Sequence, residues 1–499
     1  MMNRLSKELF PDIIEEALPD RIIQFGEGNF LRGFIDWMVH QLNKQGLFNG
    51  RIVAVQPTPH GKVVPKLNAQ DGLYTLILRG LENGRIVEKV EIISSVSRGI
   101  DPYKDWPKVL EVACNPEIDF VFSNTTEAGL VYLKETFEPQ KCPISFPGKL
   151  TAFLYHRFQT FEGSPDAGLT ILPCELVEGN GHLLRKLVLR HSEEWGLELR
   201  FLEWVEKHVQ FCNTLVDRII TGYPAEEMDY LRIKLGYDDE LLTVGEPYHL
   251  FAIEAPPETA DALPFLQIGL NVHWGDIRPF HHLKVRILNG AHTMFFSAAL
   301  LAGKNTVVEA MQDDILRSYL LQGIYREVLP CLEVGMDQKK AFADSVMERL
   351  SNPFNQHRLL DIALHSVSKF KVRLLPTLLE TVSVQHKLPA AVAFSLASLI
   401  AYYQNVHLDE NGSIVFERER ESYVLRDDLI TVNFLKQAWL CYDGSDRSLQ
   451  DLISYIFAQH TFWGLDLNTI PDLSQIVFKY LKGILRDGVI KALQRELLS

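Results

Sequence analysis

The run Arg21-Ile22-Ile23-Gln24-Phe25 is short and apolar, stops at Gly26-Glu27-Gly28-Asn29-Phe30-Leu31-Arg32-Gly33-Phe34, and passes at once into an amphipathic stretch ending near Leu42. A buried strand, a glycine turn and a helix in that order make the first unit of a dinucleotide-binding α/β fold. Gly26 permits the tight turn, Gly28 lets the backbone approach a pyrophosphate, and the helix start presents free N–H groups to the anion. Leu31, Phe34, Ile35, Met38, Val39 and Leu42 recur at helical spacing, and Gly46 is placed to end the helix. The loop reads GxGxxxxG, its third glycine two residues later than in the usual fingerprint. By spacing alone it suits a phosphate cradle and an ordinary tight βα turn equally well.

A second strand, Arg51-Ile52-Val53-Ala54-Val55-Gln56, follows at about the distance where an acid would hold a ribose, but that place belongs to Gln56. The missing acid leaves NAD against NADP open, and Gln56 can still hydrogen-bond a ribose hydroxyl. Further strands are expected at Tyr74–Leu78, Val87–Ile93, Phe120–Ser123 and Leu169–Cys174, with a helix at Trp106–Ala113. Such alternation predicts a mostly parallel sheet covered on both faces. Ligands bind beyond the carboxyl ends of strands in such sheets, and Ser123-Asn124-Thr125-Thr126-Glu127 follows one of them. The cofactor-binding candidates are therefore Phe25, Gly26, Glu27, Gly28, Asn29, Phe30, Gln56, Asn124 and Thr125. Glu127 is a substrate-side candidate whose bland alternative is a cap or turn residue.

A chain of 499 residues exceeds one ordinary core, so two domains are expected. The formal charge of −14 argues against nucleic acid, which demands a basic face, and against anionic membrane surfaces. Cys114, Cys142, Cys174, Cys212, Cys331 and Cys441 form no CxxC pair and read as free thiols in a reducing compartment. No short His/Cys cluster has metal-ligand spacing, so no metal is expected. The N-terminal twenty residues lack the apolar core of a secretory signal, and Leu388–Tyr403, the longest apolar run, is too short to span a bilayer. It reads as a buried helix. The expected location is the cytoplasm, and nothing in the sequence sets an oligomeric state.

After about residue 275 strand patterns fade. Helical spacings run through Val307–Leu320, Tyr325–Leu332, Lys340–Leu350, His357–Leu364, Arg373–Leu379, Ala390–Tyr403, Ile430–Cys441, Leu449–Gln459 and Leu473–Leu498, with prolines at 330, 353, 376, 389 and 471 as breaks. Asp409–Ser413 reads as an exposed hairpin or turn. The expected division is a dinucleotide-binding domain over 1–277 and an α-helical substrate domain over 278–499, the latter closing over the cofactor and supplying substrate ligands.

Within His282-Leu283-Lys284-Val285-Arg286-Ile287-Leu288-Asn289-Gly290-Ala291-His292, an α-helix would set Asn289 roughly 140° and His292 roughly 80° from Lys284, so the three share one arc. A lysine can move the hydroxyl proton, an asparagine can donate to an oxygen gaining negative charge, and a histidine can orient the substrate. These side chains suit a keto–hydroxy interconversion. The same three residues also occur by chance on solvated helix faces.

Lys284-x4-Asn289-x2-His292 resembles the signature of the polyol-specific long-chain dehydrogenases, the mannitol dehydrogenase family. Phe211-Cys212-Asn213-Thr214-Leu215-Val216-Asp217-Arg218-Ile219 is similar to that family's VDRI segment. The glycine loop, Thr126-Glu127 and Cys174-Glu175…Asn180-Gly181 correspond in the same order, so the resemblance covers nearly the whole chain. Ile22–Arg32, Phe122–Gly129, Thr214–Pro224 and Ile287–Thr293 are most similar to members acting on sugar acids. The resemblance implies a Rossmann-like NAD-binding domain followed by a mostly α-helical domain, NAD as cofactor, no metal and a small-molecule sugar-acid substrate. It also implies Lys284 as general acid/base, Asn289 as donor to the reacting oxygen, His292 and Asp217 lining the substrate pocket, and Glu127 on the proton path. Oxidation of a related keto-acid pair, or of a polyol such as mannitol, would use the same lysine. One departure is Leu176 where mannitol dehydrogenases place a second oxyanion asparagine; Asn289 then works alone or Asn180 substitutes. Asp217-Arg218 can equally be a structural ion pair. A sugar acid needs its carboxylate recognised, for which Arg349, Lys369 and Arg373 are candidates.

Overall fold

The computed structural model describes residues 2–13, 18–418 and 421–498 and divides into two compact units, Met1–Ile277 and Arg278–Ser499. The first unit is built on six strands: β1 (Asp20–Phe25), β2 (Arg51–Val55), β3 (Val96–Ile100), β4 (Phe120–Ser123), β5 (Thr170–Pro173) and β6 (Gln210–Phe211). They lie in the order 3-2-1-4-5-6 and every pairing is parallel. Both faces are covered, which is why β1 and β2 read as continuous apolar runs. Ile22 and Ile52 pack with Ile35, Met38 and Leu42 of the helix Ile35–Lys44. Their neighbours Ile23, Phe25 and Val53 point the other way, onto Leu150 and Phe153 of the helix Phe146–Thr160. The strand order reverses between β1 and β4, the place where doubly wound sheets bind dinucleotides.

Three expectations for this unit need correction. Tyr74–Glu82 and Arg85–Ile93 leave the parallel sheet and form an antiparallel hairpin in a second sheet with Thr243–Gly245 and Ile220–Gly222. Asn83 and Gly84 turn that hairpin with φ of 53° and 71°, the left-handed pair of a tight two-residue turn. The third strand of the parallel sheet is instead Val96–Ile100. A third small sheet pairs Asn213–Asp217 with Leu250–Glu254 and Val272–Trp274.

The helix expected from the glycine loop to Leu42 is split into Asn29–Arg32 and Ile35–Lys44. Its carbonyls are diverted at the break: Arg32 O accepts from Tyr74 Oη at 2.9 Å and Gly33 O from Arg218 Nη1 at 2.8 Å. A Cβ at Gly33 would stand 2.6 Å from Ile220 Cδ1, so a larger residue there would have to push that side chain aside.

The second unit is helical apart from a three-stranded antiparallel sheet, Val406–Leu408, Ile414–Arg418 and Glu421–Val424, whose first turn is the polar loop 409–413. The helix Ala390–Tyr403 is buried from Ala391 to its end. Its first N–H groups have no intrahelical partner. Glu327 supplies one, its carboxylate accepting from Ala391 N at 2.9 Å and Val392 N at 3.0 Å. The long C-terminal helix is two, Leu473–Asp487 and Val489–Glu496, parted at Gly488 with φ of 82°. Arg373–Leu379 likewise belongs to two helices, Ser366–Arg373 and Leu375–Gln385, the second carrying Pro376 in its first turn where a missing N–H costs nothing. No helix among the described residues is long and apolar enough to cross a membrane. Among them no group of three or more His, Cys, Asp or Glu is arranged to hold a metal, and the six cysteines are free thiols.

Candidate active site

Gly26 leaves β1 with φ of 131°, and a Cβ there would lie 3.0 Å from Asn124 O and 2.9 Å from Leu31 Cδ1. The turn is thus pressed against the end of β4, an approach only glycine permits. Gly28 continues in extended backbone with open space over it, and the short helix Asn29–Arg32 begins there. Arg32 holds the loop from below, donating from Nη1 to Glu27 O at 2.5 Å and from Nη2 to Asn29 Oδ1 at 2.7 Å and Thr243 Oγ1 at 3.0 Å. Phe30 stacks on Phe34 with ring centroids 5.0 Å apart. Glu27 is buried, and burial pushes its carboxyl up to about 7 despite the nearby Arg32 guanidinium.

Gln56, just past β2, folds back so that Nε2 donates to Thr58 O at 2.7 Å, while its buried Oε1 has no hydrogen-bond partner. An orphaned acceptor at the ribose position and open space over a backbone turn at the strand-order reversal fit a dinucleotide.

The second wall of this cradle follows β4. Asn124 N donates to Phe25 O at 3.1 Å and Asn124 Nδ2 to Cys174 O at 2.8 Å. Glu175 fixes the next turn: Oε1 accepts from Thr125 N at 2.8 Å and Thr125 Oγ1 at 3.0 Å, and Oε2 from Ser123 Oγ at 3.0 Å. Burial raises the Glu175 carboxyl, against those donors. The family resemblance singles out Cys174-Glu175, but nothing in the sequence shows that the acid holds the Thr125 turn. Glu127 is exposed, on a short turn after Thr126, whose φ is 68°.

Two alternatives left open by the sequence are resolved within this unit. Asn180 is wholly engaged in local structure: Nδ2 donates to Pro173 O at 2.9 Å and Glu175 O at 3.1 Å, and Oδ1 accepts from Gly181 N and Thr214 N, both at 2.9 Å. It is buried with no donor left for a substrate oxygen, so it does not replace the missing second asparagine. Leu176, at that position, is exposed. Arg218 is structural, with Nε to Glu246 O at 2.8 Å, Nη1 to Gly33 O, and its guanidinium 4.2 Å from the Trp37 ring centre. Burial pulls it down to about 9. Asp217 beside it is buried at the end of the strand Asn213–Asp217.

In the second unit the helix Arg278–Leu283 runs into a π-helical stretch, Lys284–Asn289, and resumes as the α-helix Gly290–Leu301. The sequence pattern assumes α geometry throughout, where five residues span about 140° beyond a full turn. Bonding from i to i+5 widens the turn and narrows the angle between Lys284 and Asn289 around the axis. Asn289 and His292 are then neighbours at i and i+3. Lys284 is half-buried, between the fully buried Leu283 and Ile287. The Asn289 backbone oxygen accepts from Thr293 Oγ1 at 3.0 Å and Arg373 Nη1 at 3.4 Å, while its side-chain amide bonds no described residue.

His292 Nδ1–H donates to Leu288 O at 2.9 Å, which fixes the tautomer with Nε2 as a bare acceptor. Burial, with His357 and the cations of Arg349 and Arg373 nearby, drives its pKa down to about 3, so the ring is neutral. The His357 ring lies 5.3 Å away and is also lowered by burial. A lysine, a free amide donor and a neutral imidazole acceptor on successive turns can manage the proton, oxygen and neighbouring hydroxyl of a secondary alcohol.

Of the three cations expected to read a carboxylate, Lys369 and Arg373 lie one turn apart on the helix Ser366–Arg373, which packs on this stretch. Arg349 is buried at the end of the helix Met336–Leu350.

Two family profiles match the chain: the Mannitol dehydrogenase Rossmann domain over residues 20–265 and the Mannitol dehydrogenase C-terminal domain over residues 276–485. The sequence is 48% identical over 477 residues to altronate oxidoreductase of Halalkalibacterium halodurans, spanning 95% of this chain and 93% of that protein. It is 41% identical over 499 residues to altronate oxidoreductase of Bacillus subtilis strain 168, spanning 99% of this chain and 98% of that protein. Among solved structures, substrate-free D-sorbitol dehydrogenase superposes with a TM-score of 0.77 at 23% identity, covering 99% of this chain and 100% of the other. Pseudomonas fluorescens mannitol 2-dehydrogenase, solved with NAD and D-mannitol, gives 0.68 at 20% identity with the same coverage. At such identities these two likenesses concern the fold.

Proposed function

We propose, because this chain belongs to the mannitol dehydrogenase family, that it is an NAD-dependent oxidoreductase interconverting D-altronate and D-tagaturonate. The substrate pair comes from the altronate oxidoreductases that match the chain end to end. The observation that carries the chemistry is the π-helical register of Lys284 and Asn289, with the neutral His292 one turn on.

When bound, the nicotinamide supplies or accepts a hydride at the substrate carbon. Phe25, Gly26, Glu27, Gly28, Asn29 and Phe30 would hold the pyrophosphate end, Gln56 the ribose, and Asn124 and Thr125 the loop wall. NAD is the assignment because a 2′-phosphate calls for a cation, and Gln56 is neutral.

Lys284 is the general acid in reduction, its ammonium protonating the oxygen as the ketone becomes an alcohol, and the general base in the reverse direction. Asn289 donates from its unpartnered amide to that oxygen while charge builds there. His292 accepts at Nε2 from a neighbouring hydroxyl. Asp217 binds a further substrate hydroxyl and Glu127 passes the proton to solvent.

The test is NADH oxidation with tagaturonate, fructuronate and fructose side by side. Preference for tagaturonate by at least tenfold in kcat/KM is expected. Preference for fructuronate or fructose would reassign the enzyme within its family, and no turnover of any of the three would overturn the reading.

A further inference from the structure

We propose that Lys369 and Arg373 bind the carboxylate of the sugar-acid substrate beside Asn289 and His292. The inference rests on the sugar-acid reading above and names the groups that make the site selective for an acid over a neutral polyol.

Arg373 and Lys369 have no carboxylate of a described residue within ion-pair distance. Side chains of lysine and arginine withdrawn from water are normally paired. Arg286, in the π-helical stretch itself, obeys this: its Nη2 lies 2.8 Å from Glu380 Oε2, its Nη1 3.2 Å from Glu380 Oε1, and Thr377 Oγ1 accepts from Nη2 at 2.7 Å. Arg373 does not. Its Nη1 donates to Asn289 O at 3.4 Å and Thr293 Oγ1 at 3.0 Å, and no carboxylate of a described residue lies within 4.0 Å. Lys369 donates from Nζ to Ile362 O at 2.9 Å and has no carboxylate of a described residue within 4.0 Å, Asp427 acting on it only from farther off. Both cations are partly buried, and burial lowers Lys369 to about 8 and Arg373 to about 10, the cost of holding charge there unanswered.

The positions suit a carboxylate. Arg373 is tied by Nη1 to the backbone of the residue whose amide is proposed to face the reacting oxygen, which leaves Nε and Nη2 as a planar fork with no acceptor among the described residues. Lys369 stands one turn before it, close enough that the Arg373 charge, after burial, helps to lower it. The neutral rings of His292 and His357 add acceptors without adding charge. The chain as a whole carries a formal −14, so an anionic substrate needs such local cations to bind at all.

The experiment compares wild type with Lys369→Met, Arg373→Gln and the charge-keeping Arg373→Lys. Each is first checked for NADH affinity and thermal unfolding, since Arg373 also supports the helix carrying Asn289. KM for tagaturonate and the ratio of kcat/KM for tagaturonate over fructose are then measured. Loss of one charge-assisted contact is expected to raise KM by about tenfold to a hundredfold and to lower that ratio at least tenfold, with partial recovery in Arg373→Lys. If Arg373→Gln does not fold, Lys369→Met carries the test alone. A wild type that reduces tagaturonate while both variants keep its KM within twofold overturns this assignment and leaves the proposed function intact. Parallel losses on tagaturonate and fructose overturn it too, as a merely structural role. A wild type that reduces fructose and no uronate overturns both.

Discussion

Lys284 and Asn289 stand at the two ends of one π-helical stretch, five residues apart in a segment whose bonding runs from i to i+5. An α-helix would set the asparagine about 140° from the lysine, so the wider register brings the proposed proton-moving group nearer the side of the proposed oxygen-steadying one. Replacement of Lys284 by alanine is expected to lower kcat by about 10²–10⁴-fold while NADH binding, read by fluorescence titration, stays within about twofold. A rate within tenfold of wild type would remove the acid/base role.

Asn289→Ala is expected to cost about 10²–10³ in kcat with a smaller change in KM, because its donor matters most as negative charge develops. Asn289→Asp, nearly the same shape, should be the worse variant, since a carboxylate repels that charge. Equal activity in the two variants would mean the side chain only fills space.

Lys369, lowered to about 8, gives the substrate site a pH dependence whose sign can be stated. Arg373 and His357 face it and oppose its charge or share its burial, and Asp427 favours the charge. Below about pH 8 the ammonium is present to meet a carboxylate; above it the amine is neutral, and KM for the keto acid should climb. Lys369→Arg keeps its charge throughout, so its KM profile should stay flat between pH 7.5 and about 9.5. A wild-type profile equally flat contradicts the prediction.

Glu27 offers a stability test. Its folded carboxyl titrates at about 7 against an ordinary 4.5, so its contribution is fully present below 4.5 and is lost as the pH rises through 7, where burial must tolerate a charge. Glu27→Gln never ionises. The Tm of the variant minus that of wild type should therefore increase from pH 5.5 to pH 8, by about 2 °C or more. A constant difference would place the carboxylate in contact with water.

Glu175→Ala removes the acceptor that Ser123 Oγ, Thr125 N and Thr125 Oγ1 share. A buried N–H left without a partner costs about 1–3 kcal/mol. Lowered stability together with weaker NADH binding is expected, measured by chemical denaturation and fluorescence titration. Loss of stability with cofactor affinity unchanged would detach the Thr125 loop from the cradle.

How much of this was legible in the sequence depends on the kind of signal. β1, β2 and β4 show as apolar runs because both faces of each are covered, Trp106–Ala113 shows as a helix because its burial follows one period, and Ala390–Tyr403 because its apolar run, buried all round, is too long for a strand. The hairpin at Tyr74–Ile93 was misassigned to the parallel sheet although Asn83-Gly84 marks a tight turn; its second strand is largely exposed and carries little apolar pattern. Glu175, Arg32 and Arg218 stand in segments that carry the family resemblance, but what each one holds is not legible there, because a buried charged residue leaves no periodicity and the partners of Arg32 and Arg218 lie far away in sequence. The π-helical stretch is equally silent: side chains announce that a segment is helical, not whether one turn is wider by a residue. Lys284, Asn289 and His292 were nominated on α geometry, and the true bonding draws two of them closer than that geometry allows.

The buttressing of the glycine loop has a temporal consequence. Gly33 is gripped by Arg218 and Arg32 by Thr243, partners 185 and 211 positions downstream. A nascent chain emerging at about 5–20 residues per second therefore exposes the loop roughly 10–40 s before its clasp leaves the ribosome. Through that interval the polypeptide owns the motif without the shape, and the cofactor has nothing to grip until the hairpin's distant neighbours arrive.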